Sequence, residues 1–198
     1  MWINRIGACR AAPIALKYLI LTISIIPTDI VTDLSEIARL AAIREEENDH
    51  FRSFIEARDP DETDESVFRL QEVVSAGIDC RQCGNCCRSL MIVVNEEELD
   101  RVALLSNETT ADFKSKHITE GLAGKMLLNS MPCRFLEDSS CSIYEHRFAG
   151  CREFPALHLP GFAHRYFTIQ MHYDRCPIIF NVVEQLKKEL HFFSADNA

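Results

Sequence analysis

The sequence predicts an α+β protein, in which a small cysteine-rich domain with short strands is preceded by an acidic helical hairpin and closed by a C-terminal helix. Three observations support this fold class. Apolar residues recur at helical spacing before residue 77 and again after residue 177. Between these regions the apolar runs are a few residues long and are bounded by polar residues, as in short strands. Eight of the nine cysteines fall in this middle part, between residues 80 and 176.

The chain divides into three predicted segments: an N-terminal extension at 1–30, an acidic helical segment at 31–79 and a cysteine-cluster domain at 80–198. The extension carries an apolar run at 14–26, which is shorter than the roughly 20 residues of a transmembrane helix. We therefore predict no stable membrane span. The extension is interpreted as a start placed upstream of a natural one near Val31, with a signal-like segment or an ordinary N-terminus as alternatives.

The acidic segment predicts two helices. The first begins at Thr32, where Asp33 and Glu36 resemble a capping box, and its apolar pattern continues to Ile55. The second ends at Gly77. The acidic runs at 45–47 and 59–65 are predicted to be a solvated face and an interhelix loop. A carboxylate metal site there is a less favoured alternative, because nothing in the sequence fixes the geometry of its ligands.

The cysteine-cluster domain predicts short strands and three further helices. Apolar runs at 90–94, 125–128 and 133–136 are typical of short strands, and the stretch 166–172 also has a strand-like pattern. Helices are predicted at 96–105, with Asn95 as the N-cap, and at 109–118. The last helix begins at Pro177, since proline is favourable at the first helical position, and runs to about Leu190.

The motif Cys80-Arg-Gln-Cys83-Gly-Asn-Cys86-Cys87 is the strongest functional signal in the chain. Its two-residue spacers let the chain reverse so that successive thiolates face one centre, and Gly84 permits the tight turn that this requires. Four more cysteines follow, so eight thiols are present, enough for two sites of four. The predicted metal ligands are Cys80, Cys83, Cys86, Cys87, Cys133, Cys141, Cys151 and Cys176.

Two kinds of metal centre fit these cysteines, and the sequence leaves both open. Paired cysteines at two-residue spacing are typical of structural zinc sites. The first three cysteines of the motif, joined by the remote Cys176-Pro177, also match the outline of a bacterial ferredoxin iron–sulfur site. Cys87 could then serve a second site with Cys133, Cys141 and Cys151, because neighbouring residues in extended or turn backbone tend to point apart. Four disulfides in an exported protein are the structural alternative.

The net charge of −9 argues against a nucleic-acid partner, which would require a basic face. Most of this charge lies in the acidic segment, so the cysteine-cluster domain is nearly neutral. Guanidinium groups beside the cysteines could offset the negative charge of a metal–thiolate site, although surface arginines placed there by chance would give the same pattern. The arginines next to a cysteine are Arg81, Arg88, Arg134, Arg152 and Arg175.

The cysteine blocks resemble the YkgJ-type cysteine-cluster family, also called the CxxCxxCC zinc- or iron-chelating domain. The motif at 80–87 carries this resemblance together with Pro132-Cys133-Arg-Phe-Leu, Cys141-Ser-Ile-Tyr-Glu-His-Arg, Cys151-Arg-Glu-Phe-Pro and Cys176-Pro. One departure is Phe148, which stands where the family pattern has proline. The resemblance implies a metal-chelating domain. A related module in flagellin lysine methylases further implies, by analogy, a link to protein methylation.

The sequence favours a cytoplasmic metal-binding protein with a structural, redox or electron-transfer role. Neither a dinucleotide nor a nucleotide glycine motif is present, and the cysteine spacing does not match the radical S-adenosylmethionine pattern. A full set of protein ligands also leaves no open coordination position for a substrate. An enzyme or accessory protein linked to protein methylation is the alternative. The predicted partner is the metal ion or cluster, and the sequence identifies no protein partner.

Overall fold

The structure is a computed structural model that describes residues 30–192 of the chain. The predicted N-terminal extension lies outside the described residues except for its last position, and Cys9 lies outside them too. No helix between residues 30 and 192 is both long and apolar enough to cross a membrane. The boundaries predicted for the three segments stay a prediction.

Short helices dominate the described chain, and five strands of two or three residues accompany them. The helices are α1 (Leu34–Ile43), α2 (Glu45–Glu56), α3 (Pro60–Ala76), α4 (Cys80–Cys83), α5 (Asn85–Ser89), α6 (Glu96–Leu105), α7 (Thr110–His117), α8 (Ala149–Glu153), α9 (Phe162–Gln170) and α10 (Pro177–Glu189). The strands are β1 (Val93–Val94), β2 (Ile118–Glu120), β3 (Met126–Leu128), β4 (Leu136–Glu137) and β5 (Ser140–Cys141).

The strands form two small antiparallel sheets. In the first, β3 lies between β1 and β2, with Val93 opposite Leu127 and Ile118 opposite Leu128. In the second, β4 and β5 form a hairpin in which Leu136 lies opposite Cys141. The predicted α+β fold class is confirmed, including the short strands of the cysteine region and the C-terminal helix.

Helices from both ends of the described chain share one hydrophobic core. Helices α1, α2 and α3 pack with α9 and α10 around fully buried side chains such as Phe51, Val67, Tyr166 and Ile179. Burial of apolar surface on this scale is the main favourable contribution to folding. Because α10 begins directly after Cys176, this helical core fixes where the last cysteine lies.

A second core lies under the cysteine-rich loops. Helices α6 and α7 and the three-stranded sheet enclose Val102, Phe113, Phe148 and other buried side chains. Cys133 belongs to this core, and Cys87, Cys141 and Cys151 pack against its edge. The cysteines therefore lie on a packed base rather than on free loops.

The acidic run at 59–65 is not the interhelix loop that the sequence predicts. Asp59 is the N-cap of α3, and its carboxylate accepts the backbone N–H groups of Asp61 and Glu62 at 2.9 and 3.1 Å. Proline at the first position and acidic residues in the first turn are all favourable at a helix start. The acidic composition marks the first turn of a helix, and the loop prediction is wrong.

The strand-like stretch at 166–172 is helical, because most of it belongs to α9. The buried residues Phe162, Tyr166 and Ile169 follow helical spacing along this element. A carboxylate from another helix starts it: Asp64 accepts the backbone N–H groups of Gly161 and Phe162 at 2.6 and 2.8 Å. A cap supplied from α3 leaves no local signal, so the aromatic and β-branched composition misled the prediction.

Several other predicted elements are confirmed and two are altered. Helix α6 begins with the capping box between Asn95 and Glu98, and α10 begins at Pro177. The first predicted helix is divided at Arg44 into α1 and α2. The strand predicted at 133–136 is shorter and lies later, at β4.

Candidate metal centre

One cavity brings all eight predicted ligands together. Its volume is about 600 Å³, and its walls include apolar side chains of the second core, such as Phe135 and Phe148. All eight of these cysteines are free thiols in the structure. The cysteines that line the cavity are Cys80, Cys83, Cys86, Cys87, Cys133, Cys141, Cys151 and Cys176.

The first motif folds as two short helices joined by a left-handed glycine. Asp79 caps α4 by accepting the N–H of Arg81 at 2.9 Å. Gly84 then adopts φ +59°, and its N–H donates to the carbonyl of Cys80 at 3.2 Å. A left-handed residue ends α4 and lets α5 start at once in a new direction, which turns the second cysteine pair back toward the first.

The β4–β5 hairpin is fastened to this motif by side-chain hydrogen bonds. The Arg88 guanidinium donates to the carbonyls of Cys83 and Asp138, at 2.9 and 2.7 Å. From the hairpin, the Ser140 hydroxyl donates to the carbonyl of Arg81 at 2.9 Å. Each of these bonds runs from a side chain to a backbone carbonyl, and two of them cross between the motif and the hairpin, so the hairpin that ends in Cys141 is held against the first motif.

Two further hydrogen bonds connect remote cysteines to particular parts of the motif. The Asn85 side-chain amide donates to the carbonyl of Arg175 at 2.8 Å, which brings Cys176 to the start of α5. The backbone N–H of Cys133 donates to the carbonyl of Cys87 at 2.7 Å. Each bond spans at least 46 residues of sequence, so only the tertiary structure could reveal it.

Glu98 fixes the helix that carries Cys151. Its side chain is almost fully buried, with 6% of its surface exposed. The carboxylate accepts the N–H of Ala149, the first residue of α8, at 2.7 Å, and the N–H of Asn95 at 3.1 Å. The sequence marks Glu98 as one of three glutamates in the first turn of α6, which accounts for the second bond but not for the first.

Burial opposes ionisation of most of these thiols. It raises the pKa of Cys80, Cys133 and Cys141 above the usual thiol range, and it raises the pKa of Cys151 and Cys176 to about 12. A charged sulfur is poorly solvated in such surroundings. Positive charge, from a bound metal and from nearby side chains, would stabilise the thiolates that metal binding requires.

The adjacent thiols of Cys86 and Cys87 interact with each other. This interaction raises the pKa of Cys86 and lowers the pKa of Cys87, so Cys87 is the member of the pair that ionises more readily. Both residues lie in α5, where consecutive side chains differ in direction by about 100°. The backbone that contains them is therefore helical, not the extended or turn backbone expected from the sequence.

Positive side chains line the cavity, and within residues 30–192 no Asp or Glu side chain does. The arginines on its walls are Arg81, Arg147 and Arg175. This is a local reversal of the charge of the chain, whose net charge is −9. Such a lining suits a centre with surplus negative charge, as several thiolates around a metal would have.

Adjacency to a cysteine in sequence does not determine which arginines reach the cavity. Arg134 turns away toward Glu108, 3.3 Å from its carboxylate, and stacks on Phe113. Arg152 donates to the carbonyl of Arg147. Arg147 itself is six residues from Cys141 and four from Cys151. Its distance from any cysteine in sequence gives no sign that its guanidinium shares the cavity with the thiols.

The eight cysteine sulfurs are chemically suited to bind a metal. Cysteine thiolates are ligands of zinc ions and of the iron atoms of iron–sulfur clusters. Four thiolates around one zinc ion lie about 3.8 Å apart, because each Zn–S bond is about 2.3 Å long. Among the described side chains, no group of three or more His, Cys, Asp or Glu is close enough to hold one ion.

Comparison with known proteins agrees with this chemistry. Residues 79–177, half of the chain, match the family model described as "CxxCxxCC: Putative zinc- or iron-chelating domain". No curated protein and no solved structure matched the chain. The matched range begins at the cap of the first motif and ends directly after Cys176, so it contains all eight cavity cysteines. From the cysteine cavity and this match together, the chain belongs to the CxxCxxCC zinc- or iron-chelating domain family.

Proposed function

We propose that the chain holds two metal centres, each bound by four of the eight cysteines. The first set comprises Cys80, Cys83, Cys86 and Cys176, and the second set comprises Cys87, Cys133, Cys141 and Cys151. The observation that carries this proposal is the single cavity lined by all eight thiols. The bond from Asn85 to the residue before Cys176 supports the first set, and the bond between Cys133 and Cys87 supports the second.

Electrostatic interactions between the thiols favour the same division. Next to burial, negative charge on Cys87, Cys133 and Cys141 raises the pKa of Cys151. In the first set, the charges of Cys80 and Cys83 raise the pKa of Cys176 in the same way, as a smaller effect than its burial. Cys86 interacts with members of both sets, as its position beside Cys87 requires. The two centres would therefore be close neighbours.

The sequence order of the first set favours iron–sulfur clusters over single zinc ions. Three cysteines at two-residue spacing and a remote Cys-Pro match the outline of a ferredoxin site. The cavity of about 600 Å³ that all eight thiols line has room for centres larger than single ions.

The role that best fits these centres is electron transfer or redox sensing, with a structural contribution to the cysteine region. An iron–sulfur cluster supplies one-electron chemistry when it is bound. Four protein ligands for each centre leave no position for a substrate. The aromatic side chains of Phe135, Phe148 and Phe154 on the cavity walls would exclude water and so tune the potential. Reduced thiols suit a cytoplasmic location. The link to protein methylation stays a prediction from the resemblance.

Anaerobic purification of the full chain tests the proposal. We expect a brown protein with broad visible absorbance, containing iron and acid-labile sulfide equivalent to two clusters per chain. Cys133→Ser should lose one cluster, while the matched variant Cys9→Ser should keep both. A colourless protein with two zinc ions would retain the two centres and overturn the choice of cluster. A wild-type chain that folds without any bound metal would overturn the whole proposal.

A further inference from the structure

We propose that Arg147 is the counter-charge shared by the two metal centres, an inference that rests on the centres proposed above. Its guanidinium lies on the wall of the cysteine cavity, and its charge is not neutralised by a carboxylate of the described chain. This one cation would stabilise the negative charge of both the first and the second set of cysteine thiolates.

The ion pairs of the cavity arginines distinguish Arg147 from the other two. Arg81 pairs with Asp79 at 3.2 Å, and Arg175 pairs with Asp174 at 2.8 Å. Each of these guanidinium groups is thus largely neutralised by a neighbouring carboxylate. No Asp or Glu between residues 30 and 192 forms such a pair with Arg147. Its positive charge therefore has no carboxylate partner among these residues, and the eight thiols share the cavity with it.

The ring of Tyr144 holds Arg147 in place. The guanidinium carbon of Arg147 lies 3.9 Å from the centre of this ring, and that of Arg81 lies 5.6 Å from it. The N–H of Arg147 also donates to the Tyr144 carbonyl at 3.3 Å. Stacking on an aromatic ring orients a guanidinium without neutralising it. Arg147 is therefore an oriented, unneutralised cation at the cavity wall.

Arg147 lies beside members of both sets. Cys80 of the first set and Cys141 and Cys151 of the second line the same cavity as its guanidinium. Four thiolates around a divalent ion, or around a doubly charged cluster core, carry about two surplus negative charges. A cation that reaches both centres stabilises both when they are loaded.

The test compares metal release from three variants of the full chain, purified anaerobically with its metal, into excess EDTA. Arg147→Met removes the charge and keeps an apolar side chain of similar length. We expect it to release metal about tenfold faster than the wild type, the lower end of the range for outer-sphere partners of a metal site. Arg147→Lys keeps the charge but not the planar stacking, and it should recover most of the retention. Arg39→Met, which removes an exposed arginine of α1 that pairs with Glu36 and does not line the cavity, should stay within about twofold of the wild type.

Each outcome bears on one claim. If Arg147→Met releases metal at the wild-type rate, or if Arg147→Lys fails as fully as Arg147→Met, the shared counter-charge is refuted while the metal centres stand. The lysine variant thus distinguishes charge from packing. Circular dichroism of each variant before the EDTA challenge checks that it is folded. A wild-type chain that carries no metal would overturn the proposed centres, and the role of Arg147 with them.

Discussion

Replacing Gly84 by alanine should loosen the first cysteine motif and release metal. The residue adopts φ +59°, where alanine is strained. It also packs against the β4–β5 turn, because an added Cβ would lie 2.6 Å from the backbone carbonyl oxygen of Ser139. That oxygen would have to retreat by about 0.8 Å to reach the ordinary contact distance of 3.4 Å. Its movement would pull the hairpin away from Arg88.

The two effects add to a measurable loss of stability. The left-handed conformation costs alanine about 1–2 kcal/mol. Loosening the bonds from Arg88 to the Asp138 carbonyl and to the Ser139 hydroxyl, now 2.7 and 3.1 Å, costs about another 1–2 kcal/mol, since both are partly exposed. The total of about 2–4 kcal/mol corresponds to a fall in Tm of about 4–16 °C for a domain of this size. Thermal unfolding of the metal-loaded protein, followed by circular dichroism, measures it.

Gly161→Ala is the matched control. Gly161 has φ +75°, and an added Cβ would meet no heavy atom within 4 Å. It carries the same conformational strain without the collision, so its Tm should fall by about 2–8 °C and its metal content should not change. If Gly84→Ala keeps all its metal and melts no lower than Gly161→Ala, the packing of the motif against the hairpin is not as described, and the reasoning fails.

Three further predictions concern single side chains. Cys83→Ser should remove the metal centre of the first set and broaden the amide NMR signals from residue 80 onward. The reason is that a metal centre contributes a binding free energy of the same order as the stability of a whole domain. Full metal content and an unchanged Tm would contradict this prediction. Glu98→Gln should lower metal retention by the second set, since a neutral amide accepts the Ala149 N–H less strongly than a carboxylate does. The rate of metal release into EDTA from the otherwise unchanged chain measures this, and a rate equal to that of the wild type would refute the role. Tyr166→Phe should leave the free energy of unfolding unchanged or raise it slightly, because the buried Tyr166 hydroxyl has no hydrogen-bond partner. Tyr173→Phe should lower the free energy of unfolding by about 1.5–3 kcal/mol, because the Tyr173 hydroxyl donates to Glu184 at 2.6 Å. A larger fall in Tm for Tyr166→Phe than for Tyr173→Phe would contradict this order.

Local rules predicted the elements whose causes are local. The cap at Asn95, the proline start of α10 and the left-handed Gly84 depend on residues within about one turn of each other, so they can be recognised from sequence. Helix α9 could not be recognised this way. Its first N–H groups are capped by Asp64, almost a hundred residues earlier in the chain. A favourable contact from a distant helix overrode local preferences that favoured a strand.

The sequence by itself determined that this is a thiol-rich metal-chelating domain. The number and spacing of the eight cysteines are properties of the sequence and do not depend on the fold. The residues matched by the family model include all eight. Only the tertiary structure decided how they meet. Asn85 and Cys133 hydrogen-bond across large sequence separations, and these bonds bring distant thiols to the first motif. The tertiary structure also decided which arginines lie at the cavity. Arg134 is next to a cysteine in sequence but contacts Glu108, whereas Arg147 is adjacent to no cysteine and lines the cavity. Electrostatic interaction depends on distance in space, which the order of residues along the chain does not give.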